Sequence, residues 1–424
     1  MSKNPSWLPL DNAAKIYPPS MTKKWTALFR VSATLTEPID PDILAQAQIR
    51  TLHRFPSMSM RLRQGLFWYY LDHMDGAPPI TPEVNNPCMR MDFKKTNGFA
   101  FRVRYYDCRI SVEIFHVLTD GTGGMCFLKT LLAEYLSLKY GAVIPRDHQI
   151  LDCTAEPDPK EYEDSYLRYG NSFAIPERAI NAYRIYGNST PHQRLCITTG
   201  LIPMDSLKNA ANKYNATVGE FLTSIMLLSI AEHKRTHRAQ KNRPVVINVP
   251  VNLRTLFPSQ TMRNFASYAN ISLDTRLGDY TLDEVIALVH HQMGLEANKK
   301  RLCAKFSDNV NIEKIPFLRA APLILKKPIM SLAYRREGDR KSSICFSNLG
   351  KIVLPEEMQK YVNRCDFMLG SLLENPVACA TSAYGNTVNI TFSRRIEEGE
   401  IEQNFFRTLV RLNVPVKIET NQRY

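Results

Sequence analysis

Between Ile110 and Tyr140 the chain passes from a strand-like run, Ile110-Ser111-Val112-Glu113-Ile114-Phe115, to a helix-like run from Met125 to Tyr140. The link between them is His116-Val117-Leu118-Thr119-Asp120-Gly121-Thr122-Gly123-Gly124. A strand that feeds directly into a helix is the elementary unit of an α/β fold. The reading puts His116 where the strand ends and Asp120 four residues on, with a glycine-rich turn before the helix. Glycine permits the positive φ and close backbone approach that a tight turn requires. The helix N-terminus offers free N–H groups that favour negative charge.

Two readings of His116 are open. It is either a core histidine beside an ordinary Asp-Gly turn, or an imidazole presented to a substrate. The strand–turn–helix context favours the second. Histidine is the side chain best suited to take a proton near neutral pH. A base beside an anion-tolerant turn suits acyl transfer, in which an oxyanion develops on a carbonyl.

The order of strand then helix recurs. Ala27–Leu35 reads as a strand and Asp40–Leu52 as a helix, with Asp40 as N-cap and Pro41 in the first turn. In the second half Leu195–Leu201 reads as a strand and Asp205–Tyr214 as a helix. Thr217 and Glu220 then form a capping box for a helix from Val218 to Lys234. Arg61–Arg63, Leu66–Tyr70 and Pro244–Val249 read as further strands, and Gly385-Asn386 as the turn of a hairpin between Val377–Tyr384 and Thr387–Ser393. The expected fold is α/β: two related halves, each a mixed sheet flanked by helices. The boundary falls in the polar, proline-punctuated stretch between Leu151 and Arg194. This divides the chain into an N-terminal half 1–175, a linker 176–194 and a C-terminal half 195–424. The charged segment from Arg335 to Ser343 reads as a mobile loop.

Composition narrows the function classes. With 424 residues the chain can build two or three domains with substantial cores. The longest apolar candidate, Phe221–Ala231, is too short to span a bilayer and reads as a buried helix. Met1-Ser2-Lys3-Asn4-Pro5 lacks the apolar stretch of a secretory signal, and the nine cysteines form no CxxC pair, so a cytoplasmic protein with reduced thiols is expected. The net charge of +13 suits an anionic cofactor, an acidic carrier protein, an anionic membrane or nucleic acid. No nucleic-acid motif supports the last. Its clusters, at Lys234-Arg235, Arg238, Lys241, Arg243, Lys299-Lys300-Arg301, Lys326-Lys327 and Arg335-Arg336, otherwise read as solvated faces.

His116-Val117-Leu118-Thr119-Asp120-Gly121 resembles the HxxxDG motif of the CoA-dependent acyltransferase superfamily. That group includes chloramphenicol acetyltransferase, condensation domains of peptide synthetases, plant BAHD enzymes and polyketide-associated acyltransferases. Pro9-Leu10-Asp11, Arg54-Phe55-Pro56, Gly65–Tyr70, Pro250-Val251-Asn252-Leu253-Arg254 and Ser347-Asn348-Leu349-Gly350 are similar to bacterial alcohol acetyltransferase-type members. Two departures point away from peptide-bond formation and from the plant branch. Phe115 stands where condensation domains carry a further histidine, and Asp366-Phe367-Met368-Leu369-Gly370 stands where plant enzymes carry Asp-Phe-Gly-Trp-Gly.

The resemblance implies two chloramphenicol-acetyltransferase-like halves with an active-site tunnel between them. It implies an O-acyltransferase that takes acyl-CoA, chiefly acetyl-CoA, as co-substrate and an alcohol as acceptor, without a metal or a covalent acyl-enzyme. Transfer from an acyl carrier protein in polyketide or lipopeptide assembly is the alternative, and a catalytically idle binding protein a further one. His116 is the implied general base. Asp120 is implied to point away from substrate and pair with an arginine, here Arg254, which otherwise reads as an exposed loop residue. Ser347 and Asn348 are implied to face the reaction centre, against a plain turn. Thr119, Gly123 and Gly124 are assigned to the tunnel and Gly121 to structural support, the three glycines read as steric necessities rather than direct ligands.

The other histidines lack such a context. His290 and His291 are adjacent on a helix-like stretch and face different ways. His233 and His237 have the i, i+4 spacing of a metal pair, but Lys234, Arg235 and Arg238 surround them in sequence, so they read as surface residues.

Overall fold

The computed structural model of the protein describes residues 5–22, 25–171, 181–237, 240, 242–333 and 339–422. Arg238, Lys241, Arg335, Arg336 and the first part of the 176–194 linker lie outside the described residues.

Two sheets organise the chain. The first has five strands in the order Val362–Leu369, Leu28–Leu35, Arg109–Phe115, Phe101–Tyr106 and Thr81–Pro82. The second has seven, in the order Ala266–Leu273, Val245–Asn252, Ile344–Ile352, Val377–Tyr384, Thr387–Arg394, Cys196–Pro203 and Lys417–Thr420. Both are mixed: Thr81–Pro82 pairs parallel in the first, and Ile344–Ile352 pairs parallel with both its neighbours in the second. A three-stranded sheet of Trp7–Pro9, Tyr69–His73 and Met60–Gln64 lies apart.

Local chemistry explains many element ends. The Asp40 carboxylate accepts N–H bonds from Asp42 and Ile43 at the start of the helix Pro41–Arg54. Thr217 and Glu220 bond reciprocally before the helix Val218–His237. Gly385, at φ 56°, makes the turn of the hairpin that pairs Tyr384 with Thr387.

The halves are not separate in space. Val362–Leu369, from the C-terminal half, is an edge strand of the first sheet and pairs antiparallel with Leu28–Leu35. One core packs the helices Pro41–Arg54 and Gly121–Tyr140 against the first sheet, around Phe29, Phe101, Phe115 and Phe127. A second surrounds the other sheet, around Phe221, Ile247, Phe392 and Phe405. A smaller cluster of Leu253, Phe257, Phe265 and Phe306 supports the loop between Asn252 and Ala266.

Three local readings are corrected. The helix after His116 starts at Gly121 rather than Met125, so the glycines form its first turns, and none of Gly121, Gly123 or Gly124 has positive φ. Leu66-Phe67-Trp68 is a turn between strands rather than part of one, and Leu66 is 71% exposed. His233 is a core residue, 2% exposed, not a surface one.

Candidate functional site

The strand Arg109–Phe115 ends under His116, whose N–H donates to the Ala27 carbonyl of the neighbouring strand end at 2.8 Å. Upstream, the strand is anchored by Glu113, fully buried between Arg30 at 3.3 Å and Arg102 at 2.5 Å. Burial pushes the Glu113 carboxyl up, but the two guanidiniums prevail and hold it below the usual carboxylate range.

Asp120 caps the helix Gly121–Tyr140, with Oδ1 accepting the Gly123 N–H at 3.0 Å. Its other oxygen accepts from Arg254 Nη1 and from the Phe265 N–H, each at 2.8 Å. The anion at this helix N-terminus is therefore Asp120 itself. Arg254 also donates to the carbonyls of Thr261 at 2.9 Å and Arg263 at 2.5 Å. Burial raises the Asp120 carboxyl, yet Arg254 and the two backbone N–H groups hold it below its ordinary value. Through this pair the first half grips the 253–265 loop of the second.

The same loop supplies Asn264, which sequence reasoning missed. Its Nδ2 donates to the His116 carbonyl at 3.0 Å and to Asp11 Oδ2 at 3.1 Å. Two acceptors on one side fix which end of the amide is NH₂. Asn264 Oδ1 must then face the ring, 2.9 Å from His116 Nδ1. An amide oxygen only accepts, so Nδ1 carries the proton and Nε2 is left as the basic nitrogen. Burial depresses the imidazole below its ordinary value, opposed by the Asp120 charge and the Asn264 bond. The ring is stacked on Tyr17, centroids 5.0 Å apart, and meets the edge of Phe29 at 5.1 Å.

Asp11 completes this shell. It is fully buried, its Oδ1 accepts the Ala14 N–H at 2.8 Å, and Arg263 Nε lies 3.5 Å from Oδ2. Desolvation nonetheless leaves its carboxyl above the usual range. Pro9-Leu10-Asp11 was the one sequence signal for this shell; Asn264 had none.

The remaining expected residues fall in different places. The Thr119 hydroxyl donates to the Met262 carbonyl, and that carbonyl also closes the space beside Gly123, where a Cβ would overlap it. A Cβ on Gly124 would lie 2.7 Å from Phe29, and one on Gly121 2.8 Å from Leu349. These glycines let the helix approach the strands and the loop. Ser347 is partly exposed on Ile344–Ile352, Asn348 is exposed, and Asn348 Oδ1 accepts the Gly350 N–H at 2.7 Å. Among the described residues no hydrogen bond joins either of them to His116. Asp366 pairs with Arg364 at 2.6 Å.

His233, His237 and Glu400 bring one potential ligand atom each within 4.8 Å. The rings stack at 4.2 Å and 22°. The His233 Nδ1 meets the Tyr183 hydroxyl at 3.0 Å and the His237 Nδ1 meets the His233 carbonyl at 2.9 Å, so they read as a packing pair at the helix end. Lys234 turns to Arg243 and Thr275, and Arg235 to Glu232. No helix among the described residues is long and apolar enough to cross a membrane, and all nine cysteines are free.

No family model matches the chain. Among curated proteins it is similar to uncharacterized protein Rv2305 of Mycobacterium tuberculosis strain H37Rv and to uncharacterized protein MT2362 of strain CDC 1551. Each is 24% identical over 253 residues, 58% of this chain, and the match spans 57% of the relative's length. Among solved structures the chain is similar to polyketide synthase associated protein 5 from Mycobacterium tuberculosis, at TM-score 0.60 and 12% identity over 95% of this chain and 97% of that one. It is also similar to the first condensation domain of the CDA synthetase, at TM-score 0.61 and 14% identity over 98% and 100%. The starter condensation domain of rhizomide synthetase, in a mutant form in complex with C8-CoA and Leu-SNAC, aligns at TM-score 0.60 and 12% identity over 96% and 94%. The protein thus has the paired α/β architecture of condensation domains, the α/β fold with two mixed sheets expected from its sequence.

Proposed function

We propose that this protein is an acyltransferase that moves an acyl group from a thioester donor to a hydroxyl or amine, with His116 as general base. The observation that carries the reading is the bond from His116 Nδ1 to Asn264 Oδ1, which leaves Nε2 unprotonated beside the helix that Asp120 caps. Nε2 takes the acceptor's proton as its oxygen or nitrogen attacks the thioester carbonyl. The C–S bond then breaks, and the imidazolium returns the proton to the departing thiolate. No covalent acyl-enzyme is needed, because both substrates meet at one imidazole.

Ser347 is the candidate hydroxyl for the oxyanion, because its strand packs on the motif helix through Leu349 against Gly121. Asp120 and Arg254 are positioning residues. In this reading a path between the halves gives the two substrates access from opposite sides.

For the donor we favour a carrier-protein thioester in polyketide- or nonribosomal-peptide-type assembly, with acyl-CoA as the second form. The similar structures come from such systems, and one of them binds C8-CoA. The +13 charge suits either an acidic carrier or the phosphates of CoA. Transfer of acetyl from acetyl-CoA to a simple alcohol has less behind it. The test offers wild-type protein the same acyl group on CoA and on a carrier protein, with hydroxyl and amine acceptors. Faster transfer from the carrier supports this reading; transfer from CoA alone returns the donor to acyl-CoA.

A further inference from the structure

The helix Leu323–Ala333 is built inside out. Its protein-facing positions are Leu323 and Lys326, both buried. Its solvent face carries Ile324 at 78% exposed, Leu325 at 62%, Ile329 at 66% and Leu332 at 49%, with Pro328 among them. At 100° per residue these positions fill one arc of about 140°. Lys326 holds the helix this way round: its Nζ donates to the Leu318 carbonyl at 3.1 Å and sits 3.6 Å over the Trp68 ring.

The apolar face continues beyond the helix. The Leu323 N–H donates to the Leu66 carbonyl at 2.8 Å, which sets the exposed Leu66-Phe67 turn beside it. Phe317, 80% exposed, lies on the preceding helix Pro316–Ala320. On the side of the turn opens an apolar groove of 760 Å³, with Trp7, Leu66, Phe67, Leu167 and Val310 in its walls. Scattered exposed apolar residues are ordinary on a protein; a contiguous aliphatic face of this kind marks an interaction surface.

The charge of the surface selects the occupant. From Lys314 to Ala333 the chain has Lys314, Arg319, Lys326 and Lys327 and no acidic residue. Lys314, Arg319 and Lys327 are exposed. Lys327 borders the aliphatic arc on the helix. An aliphatic arc edged by cations is the pattern that settles at the headgroup boundary of an anionic bilayer.

We infer that the face formed by the helix Leu323–Ala333, Phe317 and the Leu66-Phe67 turn docks on an anionic lipid surface. It would lie flat, with Ile324, Leu325, Ile329 and Leu332 at the acyl boundary and Lys314, Arg319 and Lys327 at the headgroups. Docking stands on exposure and charge and does not depend on acyl transfer. It also has a consequence for the site. The helix packs on Tyr17–Ser20, whose Tyr17 stacks on His116, and Pro9 and Leu10 in the groove precede the Asp11 that holds Asn264. A docked surface would therefore lie one short helix away from the His116 ring.

The test is co-sedimentation with phosphatidylglycerol-containing vesicles and with pure phosphatidylcholine vesicles. Wild type, the double variant Leu325→Ser with Ile329→Ser, and Lys327→Glu are compared, each checked for melting temperature and oligomeric state. Expected are binding to the anionic vesicles, at least about tenfold weaker binding by the double variant, roughly tenfold weaker binding by Lys327→Glu, and unchanged melting. The inference is overturned if wild type ignores anionic vesicles or if both variants bind as wild type does. It is also overturned if wild type is a dimer that the double variant splits, since the face would then belong to a second copy.

Discussion

His116 Nδ1 lies 2.9 Å from Asn264 Oδ1, and the amide that holds the ring is itself fixed by Asp11 and by the His116 backbone carbonyl. Asp11, His116 and Asn264 come from three distant parts of the chain. Their convergence sets the tautomer of the proposed base.

Asn264→Ala removes the acceptor for Nδ1–H and a donor to buried Asp11. It should lower kcat by about 10–100-fold, by letting the ring turn and change tautomer, and cost about 1–3 kcal/mol of stability. A structural role alone would leave the pH profile in place. Since the Asn264 bond raises the imidazole pKa, its loss should move the acid limb of kcat/KM to lower pH.

The acid limb of the wild type has a direction of its own. Burial holds the His116 imidazole below its ordinary value, so the basic form persists under the usual histidine pKa of about 6.5. Activity should rise with pH through a midpoint below that value and be flat above it. A rate–pH profile with an acid midpoint above about 7 would oppose the assignment.

Arg254→Ala strands the Asp120 carboxylate, which is 8% exposed. The expected loss is about 3–5 kcal/mol, read as a fall in urea midpoint. Arg254→Lys should not restore it, because the guanidinium serves Asp120, the Thr261 carbonyl and the Arg263 carbonyl together. The folded Asp120 pKa lies below its unfolded value, so the pair's stabilisation is complete above about pH 4 and is lost as pH falls through the depressed folded value.

Gly123→Ala should destabilise by about 1–3 kcal/mol, because the new methyl would overlap the Met262 carbonyl. Gly294→Ala is the control. Nothing stands within 4 Å of its Cβ position in the helix Leu282–Glu296, and alanine there should stabilise by about 0.5–1 kcal/mol. Melting temperatures that move the same way in both variants would contradict the packing account.

Much of this fold is legible because it is written locally. Caps at Asp40 and Thr217, the Gly385 hairpin and the strand before His116 each need only a few neighbouring residues. The glycines at 121–124 read as a turn before the helix but form its first turn, while the close approach expected of them holds against Leu349, the Met262 carbonyl and Phe29. The strand Val362–Leu369 joins the other half's sheet, and no local pattern encodes that exchange. His233 reads as surface from its charged sequence neighbours, yet those side chains leave on other faces of the helix. In the site, His116 and Asp120 carry a motif. Asn264 does not, because its role exists only once the 253–265 loop folds across 148 residues of sequence separation.

The most direct test of the central claim is thiol release from acyl thioesters, on CoA and on a carrier protein, with a panel of alcohols and amines, in wild type and His116→Ala. With His116 as base, release requires an acceptor in the wild type and falls by about 10²–10⁴-fold in the variant at unchanged melting temperature. Acceptor-dependent release that persists in His116→Ala would contradict it.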